Sequence, residues 1–277
     1  MKRKKSRTDF KIPKLEALEQ INFNAAGLDI GDKEIYAAVP EGRAQESVRV
    51  FQTFTVDLYA LADWLESCSV DTVALESTGV YWIPIYEILE ARGFAVALVN
   101  ARHLKNVPGR KSDVADCEWL QQLHTYGLLR SSFRPDEEIC ALRTLVRQRQ
   151  NLVSSRSRQI QLMQKAMEQM NVKLTEVVSD STGLSGVSII RSIIQGERDP
   201  KRLAELRHPQ CKKSIEEIAM ALEGTYQFEH LFALRQALAT YDFYGQQLQE
   251  CDQMIEAHYA TLQETPPGDD TSPPKTN

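Results

Sequence analysis

The chain has 277 residues, 42% of them hydrophobic, with 33 Lys and Arg, 38 Asp and Glu and a net charge of −5. That length and composition suit a folded protein with more than one structural unit, and no apolar run approaches the ~20 residues that a membrane span needs. The basic start "MKRKKSRTDFKIPK" has no apolar signal core behind it, so a cytoplasmic, membrane-free protein is expected. The five cysteines are scattered without a CxxC pair and the five histidines lack HExxH spacing, which points to neither a disulfide framework nor a zinc site.

In chain order, residues 1–24 read as a basic flexible tail whose plainer role is solubility. Residues 25–135 alternate strands and helices. "AAGLDIGDKEIYAAVP" and "SVRVFQTFTV" have strand alternation and predict an antiparallel hairpin. "DLYALADWLESC" has helical spacing at Leu58, Leu61, Ala62 and Leu65. "DTVALE" is a short buried strand, "IPIYEILEARG" a helix closed by Gly93, and "FAVALVN" another buried strand. After "VPGRKSD", Val114 to Tyr126 predicts a helix ended by Gly127. Strands alternating with helices imply a sheet covered by helices.

Residues 136–263 read as all-helical. One apolar seam runs through Ile139, Leu142, Val146, Arg149, Val153, Arg156, Ile160, Met163, Met167 and Met170, interrupted by two arginines. Beyond "DSTGLSG" and some short helices, a second seam runs through Leu231, Leu234, Leu238, Tyr241, Gly245, Leu248, Asp252, Ile255, Tyr259 and Leu262. The spacing fits coiled-coil packing, within one chain or between chains, and a homo-oligomer is expected. Residues 264–277 have the Pro, Asp and Thr content of a disordered end.

The acidic residues of the first section raise a chemical question. Asp29 sits mid-strand in "GLDIG", on the face opposite Leu28 and Ile30, where burial is costly without a neutralising partner. Glu76 ends a buried strand in "ALEST", and Asp113 and Asp116 open a helix in "KSDVADCEWL". Each has a plainer reading: a turn residue for Asp29, an N-cap for Asp113, a favourable helix-dipole charge for Asp116. Together, four carboxylates from three elements can converge at one sheet edge, where like charges demand a cation and all-oxygen ligation suits Mg²⁺ or Mn²⁺.

Basic residues flank these acids. Arg102, His103, Lys105, Arg110 and Lys111 precede Asp113, and Arg143, Arg147, Arg158 and Lys165 share one helix face, as a phosphate-backbone contact requires. A solvated loop and an ordinary exposed helix face are the alternatives. Tyr81 and Trp82 are candidates for base stacking, with core packing favoured.

In combination, "GLDIG", "ALESTGVYW" and "NARHLKNVPGRKSDVADCEWLQQLHTYGLLRSSFRPD" resemble the DEDD insertion-sequence transposases related to the Piv DNA invertase, over about Ala25 to Arg207. The resemblance implies a ribonuclease-H-like (RuvC-like) mixed sheet with helices, followed by an all-α, coiled-coil-containing region. It assigns Asp29, Glu76, Asp113 and Asp116 as catalytic metal ligands, with DNA and a structured guide RNA as partners. Members often carry Ser or Lys directly after the first acidic motif, where this chain has "GDK". They also continue into a domain bearing a nucleophilic serine, for which no serine here stands in, so the expectation is a chain truncated before that domain and unable to complete recombination alone. A RuvC-like structure-specific nuclease, a non-catalytic nucleic-acid-binding remnant, and an actin-like kinase or ATPase are the competing readings; the last lacks a second Gly-rich phosphate motif.

Overall fold

The computed structural model describes residues 18–76, 79–100 and 113–264. The basic tail before residue 18, the loop residues Arg102, His103, Lys105, Arg110 and Lys111, and the end after residue 264 lie outside the described residues. The chain divides into two compact units, Met1–Arg134 and Pro135–Asn277.

In the first unit, strands β1 (Ala25–Ile30), β2 (Glu34–Ala38) and β3 (Val48–Gln52) form an antiparallel meander. Strands β4 (Thr72–Glu76) and β5 (Ala95–Val99) add in parallel on the other side of β1, giving the order β3-β2-β1-β4-β5. This mixed five-stranded sheet is the α/β arrangement expected from the alternating pattern and is consistent with a ribonuclease-H-like fold.

Helix α1 (Thr55–Ser67) buries Leu58, Leu61, Ala62 and Leu65, the residues its spacing singled out. Helix α2 (Trp82–Ala91) buries Ile85, Tyr86 and Leu89, and Gly93 then adopts φ +85°, a left-handed turn that glycine enters without strain. Both helices pack with Leu28, Val73 and Leu75 on one face of the sheet. Helix α3 (Asp113–Thr125) packs Trp119, Leu120 and Leu123 with Ala74, Ala97 and Val99, on the other face. Of the aromatic pair considered for stacking, Trp82 is half-buried beside Tyr86 at 5.7 Å, whereas Tyr81 is 52% exposed.

In the second unit, helices α4 (Glu137–Gln169) and α9 (Phe228–Glu264) are joined by four short ones: α5 (Leu174–Val177), α6 (Leu184–Gln195), α7 (Pro200–Glu205) and α8 (Ile215–Ala221). Side-chain caps start α4 at Asp136 and α7 at Asp199, and a capping box starts α8 at Ser214. The short helices fold over the base of the long pair, burying Met163, Met167, Ile189, Ile193, Leu203, Ile218, Leu234 and Leu238 in one core.

Helices α4 and α9 run antiparallel within the chain: His258 Nε2 meets the Glu138 carbonyl, and Arg149 Nε donates to Asp252 at 2.5 Å. The Arg156 guanidinium lies 4.1 Å over the Tyr241 ring, facing Gly245. The expected α4 seam holds at Arg149, Arg156, Met163, Met167 and Met170, but two of its positions are displaced by one residue, about 100° around the helix. Val146 and Val153 are 38% and 40% exposed, while the preceding Leu145 and Leu152 are half-buried, so leucines in place of valines face α9. Leucine buries a longer apolar chain, which favours that phase. In α9, Tyr259 is likewise 53% exposed and His258 takes its place.

His124 at the end of α3 is buried with its Nε2 2.8 Å from Thr72 Oγ1, whose own proton goes to the Ala95 carbonyl, so the imidazole donates from Nε2. Burial lowers its pKa from 6.5 to about 4 against a smaller opposing effect of Asp71. The unfolded chain therefore takes up this proton first. The stability gained by keeping His124 neutral is complete above pH 6.5 and is lost as pH falls to about 4, a loss of about 3 kcal/mol. All three tryptophans, Trp64, Trp82 and Trp119, lie in the first unit, so urea unfolding followed by tryptophan fluorescence measures its stability. Between pH 6.5 and 4 the wild type is expected to lose that much more stability than His124→Gln; parallel pH profiles would show that His124 is not held neutral.

Candidate functional site

The opposite side of the sheet from α1 and α2 carries the acidic residues. Leu28 of β1 and Leu75 of β4 are register partners, so Asp29 and Glu76, each one residue further on, stand level on adjacent parallel strands. Neighbouring strands lie about 4.8 Å apart, and strand alternation puts both acids on the face of Gly27 and Ala74. Asp29 is half-buried opposite Tyr36 of β2, and Glu76 is half-buried opposite Val99 of β5.

The same face receives α3 at very short range. A Cβ on Gly27 would stand 2.4 Å from the Cys117 carbonyl oxygen and 2.3 Å from the Gln121 nitrogen, closer than any side chain permits. Successive contacts fix the direction of the helix. His124 meets Thr72, Gln121 Nε2 donates to the Ala25 carbonyl at 3.3 Å, and Cys117 faces Gly27. Four helical residues advance about 6 Å and two strand residues about 6.6 Å. One further step therefore brings the first turn of α3, with Asp113 and Asp116, level with Asp29 and Glu76.

Electrostatics reflect the approach of Cys117 to Asp29. The Cys117 thiol is pushed up to about 12, chiefly by burial and then by the charges of Glu118 and Asp29. Burial also raises Glu118, with a further contribution from Glu41. Among the described residues, no three His, Cys, Asp or Glu side chains stand close enough to hold a metal ion. The side chain of Asp113 is outside the described residues.

Of the basic residues singled out, Arg143, Arg147, Arg158 and Lys165 are all exposed on α4. From Ile139 to Met167 this helix has six cations and no carboxylate; its other two, Arg149 and Arg156, face α9. Sequence reasoning passed over Gly27, although its place two residues before Asp29 on one strand face was a usable signal.

Residues 26–172 match the family model for DEDD transposases of IS110 type, described as "Transposase", which is just over half of the 277-residue chain. No curated protein matches it. No helix among the described residues is long and apolar enough to cross a membrane.

Gly27→Ala is expected to push α3 off the sheet, destabilising the first unit by about 1–3 kcal/mol through overpacking. The fully buried Cys117 thiol then gains access to solvent. Faster alkylation at Cys117, located by peptide mass spectrometry, checks this; an unchanged rate and melting temperature would show that α3 does not rest on Gly27.

Proposed function

This chain belongs to the DEDD transposases of the IS110 type, and on that footing we propose that Asp29, Glu76, Asp113 and Asp116 form its metal-dependent phosphodiester site. The observation that carries the proposal is the level register of Asp29 and Glu76, with the first turn of α3 directed to the same edge. The donor set fits a hard divalent ion, Mg²⁺ or Mn²⁺, since every proposed ligand atom is a carboxylate oxygen. When bound, such an ion supplies Lewis-acid polarisation of a phosphodiester and a more acidic water or hydroxyl.

The protein's own part is to hold like charges together and to orient them. Asp29 is paired with Tyr36 of β2 and Glu76 with Val99 of β5, and the β1–β4 pairing ends one residue before both, which limits their freedom to separate. Asp113 and Asp116 are one helical turn apart at an α-helix N-terminus, where the backbone dipole offsets part of their charge.

Nucleic acid completes the reading. Arg143, Arg147, Arg158 and Lys165 form an exposed cationic face for a phosphate backbone, and Arg102, Lys105, Arg110 and Lys111 precede Asp113 in the sequence as further candidates for phosphate contact. DNA as substrate, a structured guide RNA and homo-oligomerisation through coiled-coil contacts of the long helices follow from the family resemblance.

The metal is tested by melting. In metal-free buffer Asp29→Asn is expected to melt at or above the wild type, because it relieves like-charge repulsion. Mg²⁺ at about 100 times its Kd stabilises the wild type by about 2.7 kcal/mol, and Asp29→Asn loses most of that gain. Equal metal responses in the two proteins would remove the site. For the basic face, replacing Arg143, Arg147 and Arg158 by Gln is expected to lower the slope of log K against log salt for duplex DNA by about 2–3. An unchanged slope would mean that this face does not contact phosphate.

A further inference from the structure

A second set of residues suited to nucleic acid lies in the α6–α9 part of the second unit, outside the matched segment of residues 26–172. Phe228 and Phe232, one turn apart at the start of α9, are 84% and 54% exposed. Two exposed phenylalanines on one face are a large apolar liability for a surface that covers nothing. The Arg235 guanidinium lies 5.3 Å from the centre of the Phe232 ring. Across a cleft of about 280 Å³, Arg198 follows the C-terminus of α6, its guanidinium 4.7 Å over Tyr226 and its Nη1 donating to the carbonyls of Ile193 and Glu197. Those bonds anchor Arg198 and leave its other N–H groups available.

The cleft is lined by Ile194, Arg198, Phe228, Leu231, Phe232 and Arg235, two cations and no acid. Its volume falls just below the about 300–1,000 Å³ of pockets for drug-sized ligands, which suits one planar group. A flat, electron-rich group gains from both wall types: rings offer stacking faces, and guanidinium planes stack on bases and donate to phosphates. A purely apolar partner would leave both arginines to be desolvated without a counter-charge. We propose that Phe228, Phe232, Arg235 and Arg198 form a stacking site for an unpaired base of single-stranded nucleic acid, distinct from the duplex-backbone face of α4. This rests on the nucleic-acid reading above, with residues, ligand form and location of its own.

The test is fluorescence anisotropy with the full chain, using a labelled oligo-dT or oligo-U 12-mer and, separately, a duplex of fixed sequence. Base–aromatic stacking contributes about 1–3 kcal/mol per base, so Phe228→Ala with Phe232→Ala is expected to weaken single-strand binding by about 10-fold or more. Duplex binding stays within about twofold. Arg235→Gln weakens the single-strand complex and flattens its salt dependence. In a 2-aminopurine-containing strand, the wild type quenches the fluorescent base on binding and the double Phe variant does not. The replaced rings are exposed, so unchanged circular dichroism is expected of the variants. Equal single-strand affinity and quenching in wild type and the double Phe variant would overturn this proposal while leaving the nucleic-acid reading intact. Failure of the wild type to bind either oligonucleotide would overturn both. Loss of self-association in the double Phe variant, with oligonucleotide binding unchanged, would assign the face to a second copy of the chain instead.

Discussion

With no side chain at Gly27, the backbone of α3 reaches the backbone of β1, and a methyl group there would stand 2.3 Å from Gln121 and 2.4 Å from Cys117. The neighbouring positions on this face are also small: Ala74 and Ala97 lie under Trp119, Leu120 and Leu123. A helix resting on small residues sits closer to a sheet than one resting on leucines, so its first turn stays near the plane of the strand ends. The proposed approach of Asp113 and Asp116 to Asp29 and Glu76 depends on this spacing. His124 pins the other end of the same helix through Thr72, which fixes the tilt as well as the distance.

Bringing carboxylates to one edge, as the proposed site requires, has an electrostatic cost that the neighbouring residues would have to limit. Cys117 occupies the point where α3 meets β1, and burial together with the charges of Glu118 and Asp29 keeps its thiol neutral. A carboxylate at that position would add a further charge beside Asp29 and Glu118, and a larger apolar residue would lift the helix from Gly27. The sheet contributes in a different way. Asp29 and Glu76 each stand one residue beyond the last β1–β4 pair, Leu28 and Leu75, so ordinary parallel pairing brings them level without unusual backbone geometry.

Much of this was legible in sequence. Alternation gave the face of Asp29, three-four spacing gave the buried residues of α1, and glycines marked the ends of α2 and α3. The level register of Asp29 and Glu76 was not readable, because pairing between β1 and β4 joins residues 47 apart and nothing local encodes it. Gly27 escaped notice for a related reason: its meaning lies in Gln121 and Cys117, which approach it only after folding. The phase of the α4 seam misled because Leu145 and Val146, like Leu152 and Val153, are adjacent apolar residues, and either member of each pair satisfies the repeat. Only packing against α9 chooses between them. The interruptions were informative without being decisive: Arg149 answers Asp252, and Arg156 answers Tyr241 beside Gly245, so the breaks in one seam complement those in the other.

Charge segregation reconciles a net charge of −5 with a polyanionic substrate. Between Ile139 and Met167 α4 has no carboxylate, whereas α9 carries Glu229, Asp242, Glu250, Asp252 and Glu256. Two of these are neutralised within the second unit, Asp252 by Arg149 and Asp242 by Arg191. Packed helices stand about 8–10 Å axis to axis, and a phosphate on the outer side of α4 is farther still from the acids of α9. That separation is comparable to or greater than the Debye length of about 8 Å at physiological ionic strength. A backbone lying along Arg143, Arg147, Arg158 and Lys165 therefore meets a locally cationic surface and is largely screened from the acids behind it. The Arg149–Asp252 pair is about half exposed on both sides, so solvent screening leaves it little effect on stability. Its larger effect is on register: it holds the cationic helix and the acidic helix in one alignment, with the basic face turned outward.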